Sequence, residues 1–257
     1  MRNTSKPSAP LSPLVRRILR KILGYERYTL FTGRHEYTSI DIWGIVSSDL
    51  NDGDAILDIG AYIGEYSIKA RQNNSNAKIH AFEPNEQNTA LLRKNIKGLN
   101  IIVSNLALSD KCEKALFLNE GKISQIIDNK NYNSNTLEVE TITLDKYQKK
   151  SNLNIKLVKI DTEGQELKIL KKSSKVLKEF KPIICCEVLT EDKGSKLTNL
   201  LSKEYIFYSV DEKYKKITKK SLIDRKLWRN RNWFFVPIEK KTHFEKLIKS
   251  HGLIEIN

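Results

Sequence analysis

From residue 54 onward, short apolar runs alternate with stretches whose apolar positions recur at helical spacing. Residues 55–59, 78–82, 100–103, 157–160 and 183–188 read as strands. Residues 64–72, 86–97 and 165–179 read as helices. Strands separated by helical stretches of this length form βαβ units, whose crossovers are right-handed, and a series of them builds a doubly wound parallel sheet. The pattern therefore predicts an α/β fold with a Rossmann-like sheet.

Two departures from the alternation refine this plan. Residues 114–118 and 137–144 read as an inserted strand pair, joined by an Asn-rich polar loop around 128–135. Residues 205–210 and 232–238 are aromatic and β-branched, with a basic loop over 213–231 between them. They predict an antiparallel pair that closes the sheet edge, so the sheet is mostly parallel with an antiparallel C-terminal pair. The expected organisation is a disordered tail over 1–12, an N-terminal helical and substrate-covering segment over 13–51, a main domain over 52–240, and a C-terminal helix over 241–257. Within 13–24, Leu14, Val15, Ile18, Leu19, Ile22 and Leu23 oppose Arg16, Arg17, Arg20 and Lys21. Such a helix can pack on its own domain or make peripheral contact with an anionic membrane surface.

Composition narrows the class. The 257 residues, 39% hydrophobic and 30% charged, suit one soluble globular domain. No run reaches the roughly 20 apolar residues of a membrane span, and arginines interrupt the N-terminal apolar positions, against a signal peptide. Cys112, Cys185 and Cys186 form neither a disulfide framework nor a zinc spacing, so a cytoplasmic setting is expected. Neighbours in a strand, Cys185 and Cys186 point to opposite faces and read as small buried hydrophobes. The formal net charge of +14 favours anionic partners without naming one.

The chemistry lies at strand ends, because ligands of open α/β sheets bind beyond the carboxyl ends of the strands. The first strand runs into Asp58-Ile59-Gly60-Ala61-Tyr62-Ile63-Gly64. Gly60 permits a tight turn and Gly64 close helix packing. The second strand ends in Glu83-Pro84-Asn85, with Glu83 placed 23 positions after Gly60. A carboxylate there can accept from both hydroxyls of a ribose. Asn105 and Ala107, after the third strand, are assigned to the same cofactor edge. The turn lacks the G-x-G-x-x-G spacing that a pyrophosphate needs, while Asp58 suits a cationic amino-acid tail. S-adenosyl-L-methionine (SAM) is therefore expected over a dinucleotide.

With these segments in view, the sequence resembles the FkbM family of methyltransferases over roughly residues 52–190. The resemblance rests on residues 57–64, on Ala81-Phe82-Glu83-Pro84-Asn85-Glu86-Gln87-Asn88, on Val158-Lys159-Ile160-Asp161-Thr162-Glu163-Gly164-Gln165-Glu166, and on Ile183-Ile184-Cys185-Cys186-Glu187-Val188. Val139-Glu140-Thr141-Ile142-Thr143-Leu144-Asp145 follows the same pattern. Tyr62 departs from it, since the family usually has Asn there. The resemblance implies a class I methyltransferase fold, SAM as cofactor, and O-methylation of a small molecule, lipid or sugar hydroxyl.

Asp161 and Glu163 end the fourth strand, where the methyl group would emerge. A carboxylate there can take the proton of an acceptor hydroxyl. Asp161 with Glu187 can alternatively offer hard oxygen ligands to Mg²⁺. His35, before the main domain, is a further candidate base. An Asp/Asn-Pro-Pro-aromatic segment, typical of nucleic-acid amino-methylation, is absent, and a carboxylate-rich mouth repels a phosphate backbone. The expected activity is methyl transfer from SAM to a hydroxyl of a small-molecule acceptor: a sugar, glycan or lipid-linked saccharide, anionic in some cases. An RNA methyltransferase and a non-catalytic SAM-binding module are the alternatives.

Overall fold

A computed structural model describes residues 37–118, 125–127, 136–224, 230–252 and 255–256. The expectations for the tail over 1–12, the helix over 13–24 and His35 lie outside the described residues.

One compact unit runs from Tyr37 to Asn257. It opens with helix α1 (Tyr37–Ser48), followed by β1 (Asp54–Ile59), α2 (Glu65–Asn73), β2 (Lys78–Phe82), α3 (Glu86–Asn95) and β3 (Ile101–Ser104). An insertion carries β4 (Ala107–Leu108), β5 (Lys114–Leu118), β6 (Gln125–Ile127) and β7 (Thr136–Ile142). Then come α4 (Leu144–Ser151), β8 (Asn154–Ile160), α5 (Glu166–Lys171), α6 (Ser174–Glu179), β9 (Ile183–Glu187), α7 (Glu191–Leu201) and β10 (Tyr205–Asp211). The chain ends with β11 (Lys216–Lys220), β12 (Asn232–Pro237), α8 (Lys241–Ser250) and β13 (Glu255–Ile256).

The main sheet has nine strands in the order β13-β11-β10-β12-β9-β8-β1-β2-β3. β3, β2, β1, β8 and β9 are mutually parallel. β12 runs antiparallel to both β9 and β10. Strand order reverses at β1, whose neighbours are β2 and β8, and this switch point opens a crevice at the carboxyl ends. This is the class I Rossmann-like sheet expected, with its antiparallel C-terminal pair.

Every residue of β1 is buried, as two-sided coverage requires. Alternation then sorts the strand residues. Leu57, Ile59, Val158, Ile160, Ile184 and Cys186 pack with Leu144, Ile169, Leu170, Val176 and Leu197 on one face. Ile56, Ile79, Leu157, Ile183 and Cys185 pack with Ile42, Trp43, Tyr66 and Phe244 on the other. The adjacent thiols Cys185 and Cys186 thus serve different cores.

Several elements differ from expectation. The helix expected over 165–179 is two helices, because Ser173 Oγ bonds back to Ile169 O (2.7 Å) and Asp145 accepts the amides of Lys175 and Val176 (3.1 and 3.0 Å). These contacts start a second helix in place of a continuous one. The apolar run expected as a strand to residue 144 stops at Ile142, and Thr143 caps α4 by accepting from Lys146 N. Helix α7 was not foreseen. Its internal Gly194 argues against a helix locally, yet a Cβ there would lie 2.5 Å from Ile223 O, so packing requires the glycine. β10 and β12 do pair antiparallel, but they do not form the edge. The basic loop contains β11, whose lysines flank the buried Ile217, and β13 pairs with it. The C-terminal helix ends at Ser250 and gives way to β13. The boundary expected at residue 52 falls inside the unit, since Ile42 and Trp43 of α1 are fully buried in its core.

Candidate active site

The turn at Gly60–Gly64 is held from three sides. Gly60 has φ 77°, and a Cβ on it would meet Asp161 O at 1.8 Å. Only glycine therefore allows the β1 and β8 loops to touch. The amides of Gly60 and Ala61 donate to Phe82 O at 3.0 and 2.9 Å, and the amide of Tyr62 donates to Glu83 Oε2 at 2.9 Å. Gly64 has φ 93°, and a Cβ there would lie 2.5 Å from Leu92 of α3. Tyr62 also takes a left-handed φ of 49°. Asparagine tolerates this region better than tyrosine, which gives a physical reason for the residue usual in the FkbM pattern.

Asp58 has a structural task of its own. Its side chain is 0% exposed, and Oδ2 accepts from Ser67 N (3.0 Å) and Ser67 Oγ (2.6 Å). Gly64, at the N-cap of α2, has no side chain to cap the helix. Asp58 satisfies that helix start from the neighbouring strand through Oδ2, while its Oδ1 has no hydrogen-bond partner among the described residues and stands 3.6 Å from Lys159 Nζ.

Glu83 is 5% exposed at the end of β2. Oε1 accepts from Asn85 N (3.0 Å) and Asn88 Nδ2 (3.3 Å), and Oε2 from Tyr62 N. A carboxylate offers about four acceptor positions, so these bonds leave room for one hydroxyl on Oε2 more readily than for a two-pronged grip on a diol. Burial raises its pKa, and the Asn85 amide is the main opposing influence. Asn85 spends its own Oδ1 capping α3 at Gln87 N and Asn88 N. Pro84 is half-buried beside it. Asn105 is exposed and accepts from Arg93, while Ala107 packs with Phe117 and Val139 in the insertion. Ala61 packs with Ala81 and Leu92.

Across the crevice, Asp161, Glu163 and Glu187 each place a carboxylate oxygen within 4.8 Å of the others. Glu163 has φ 52° and Gly164 φ 122°, so the loop after β8 turns sharply. Glu166 shapes that loop: its Oε1 accepts from Thr162 N, Thr162 Oγ1 and Gly164 N at 3.1, 3.0 and 2.9 Å. Glu187 is 4% exposed, and its Oε2 has no hydrogen-bond partner among the described residues. Burial first, and the Asp161 carboxylate second, push its pKa up to about 10 against the pull of Arg231. Arg231 Nε stands 3.1 Å from Glu187 Oε1. This carboxyl is thus protonated at neutral pH.

Lys159 lies between the two halves. Its Nζ donates to Gly60 O at 2.7 Å and stands 3.6 Å from Asp58 Oδ1 and 3.5 Å from Asp161 Oδ2. It also lies 5.1 Å above the Tyr66 ring. Lys159 and Arg231 were missed as site residues. The signal for Lys159 was present: a lone cation inside Leu157-Val158-Lys159-Ile160, where burial demands a partner. No local pattern marks Arg231.

The sequence pattern of the FkbM methyltransferase domain matches residues 58–207, more than half of the chain. The chain belongs to the FkbM family of methyltransferases. FkbM proteins are SAM-dependent methyltransferases. No curated protein sequence matches the chain. Among solved structures it is similar to the methyltransferase FkbM of Methylobacillus flagellatus KT, at 17% identity and TM-score 0.48, covering 86% of this chain and 59% of that one. It is also similar to the O-methyltransferase of Bacillus cereus in complex with SAH, at 16% identity and TM-score 0.46, covering 87% and 96%. A third is the precorrin-6y C5,15-methyltransferase of Geobacter metallireducens GS-15, at 16% identity and TM-score 0.41, covering 79% and 87%. The chain thus spans less than two thirds of the Methylobacillus protein.

Proposed function

We propose that this FkbM protein transfers the methyl group of SAM to a hydroxyl of a sugar, glycan or lipid-linked saccharide. The observation that carries this reading is the carboxylate cluster of Asp161, Glu163 and Glu187 facing the Gly60–Gly64 turn. SAM, when bound, supplies an electrophilic methyl group. Glu83 and the turn amides would hold it, because Glu83 is a buried carboxylate with acceptor capacity to spare. Asp161, 33% exposed and beside Lys159, is the group to accept the hydroxyl proton during transfer. Glu187, already protonated, is a hydrogen-bond donor at neutral pH and not the base. Proximity and orientation supply most of the remaining acceleration.

A saccharide suits a mouth rich in hydrogen-bonding groups of both signs, and the net charge of +14 favours anionic or lipid-linked forms. The free thiols of Cys112, Cys185 and Cys186 suit a cytoplasmic setting. No helix among the described residues is long and apolar enough to cross a membrane.

The same three carboxylates support a second reading, with Mg²⁺ polarising the hydroxyl. Lys159 and Arg231 already neutralise charge there, which weighs toward the metal-free form. The deciding experiment is transfer of labelled methyl from SAM to extracted glycans, glycolipids and RNA, with SAH binding measured in parallel. Label is expected in a saccharide-bearing fraction, resistant to EDTA, and abolished in Asp161→Asn although SAH still binds. Label in RNA alone, or SAH binding with no transfer to any fraction, would overturn the reading. EDTA-sensitive transfer restored by Mg²⁺ would replace the metal-free mechanism with the metal one.

A further inference from the structure

Lys159 is a cation where the fold has little room for one: its side chain is 7% exposed, in a strand whose neighbours Leu157, Val158 and Ile160 are buried. Neutralising Asp58 would account for it only if the ammonium were aimed at that carboxylate alone. Instead its Nζ donates to the carbonyl of Gly60 at 2.7 Å, while the Asp58 and Asp161 carboxylates stand farther off at 3.6 and 3.5 Å. The peptide that carries the Gly60 carbonyl also carries the Ala61 amide, which donates to Phe82 O at 2.9 Å. The next amide, of Tyr62, donates to Glu83. A continuous chain of bonds therefore runs from β8 through the cofactor turn to the acid at the end of β2.

We propose that Lys159 is a positioning residue that couples the two halves of the site: it sets the Gly60–Ala61 peptide plane for the cofactor and aims Asp161 at the acceptor. The second half of this statement rests on the reading of Asp161 given above; the first does not. Breaking the tie frees the Gly60 carbonyl, so the turn loses its preorganised shape and pays an ordering cost on binding.

The test separates this role from simple charge balance. Lys159→Met leaves Asp58 buried without its counter-ion and is expected to be less stable. Adding Asp58→Asn removes that orphan charge, keeps an acceptor for Ser67, and is expected to recover most of the lost Tm. A charge-balancing lysine would recover SAH affinity in the same step. A positioning lysine would not, and the Asp58→Asn/Lys159→Met protein is expected to bind SAH about tenfold or more weakly than Asp58→Asn, by isothermal titration. Affinity within about twofold of Asp58→Asn in a folded double variant would overturn the proposal. SAH binding needs no acceptor, so an error about Asp161 leaves this result readable. Wild-type protein that binds no SAH would instead overturn the assignment of the cofactor site itself.

Discussion

The two walls of the crevice hold their acids by different means. On the β1–β2 side, Asp58 and Glu83 are hydrogen-bonded by amides and a hydroxyl from Ser67, Asn85 and Tyr62. On the β8–β9 side, Asp161, Glu163 and Glu187 face one another, relieved by Lys159, Arg231 and a bound proton. The first wall is built from fixed backbone dipoles and is suited to binding one ligand the same way each time. The second is built from like charges whose balance shifts with protonation, which is what acid–base chemistry needs. The β1–β2 wall is therefore a mould, and the β8–β9 wall an electrostatic device.

The largest expected effect comes from the seam between the walls. Gly60→Ala places a methyl group 1.8 Å from Asp161 O at a positive φ, with backbone on both sides. It is expected to cost about 3–4 kcal/mol of stability by guanidinium denaturation. A loss below about 1 kcal/mol would mean that the walls are not in contact in solution.

Next in size is the pH response of the charged wall. Glu187 titrates near 10 in the folded protein against an ordinary 4.5, so the native state holds more protons between those values. Stability linked to this group is then lost as pH rises through that window, opposite to the usual behaviour of a carboxylate. Glu187→Gln removes the dependence. Between about pH 5 and pH 9 the variant is expected to show a flatter stability curve than the wild type, which loses stability relative to it toward the upper end. Parallel curves would return Glu187 to the ordinary carboxylates.

The smallest effect probes the mould. Tyr62→Asn relieves a left-handed residue at φ 49° and is expected to raise stability by about 0.5 kcal/mol, read as a small increase in Tm. A decrease would show that contacts of the Tyr62 ring outweigh its backbone strain.

What the sequence revealed follows from how local each signal is. The βαβ alternation and the turn at Gly60–Gly64 are local, and both appear where expected. Glu83 also stands at its strand end, with three of its acceptor positions already used within the fold. The capping role of Asp58 could not be read locally, because its partner, Ser67, belongs to the next helix. Asp145 and Glu166 stood in family segments without an assigned task, and each satisfies amides of a turn or helix not its own. An acid that caps from a distance looks, in one dimension, like an acid that does chemistry. Arg231 reaches Glu187 only through the antiparallel placement of β12 beside β9, which no spacing announces.

The insertion between β3 and α4 enters and leaves at a single point, where Ala107 and Leu108 pair in parallel with Thr141 and Ile142. Gln165 Nε2, beside the loop after β8, donates to Ile126 O of the insertion at 3.3 Å. A segment pinned at its root pays little for changes in length at its tip. The insertion can thus change in length with little strain on the Gly60–Gly64 turn, to which the parallel sheet and not the insertion gives its shape.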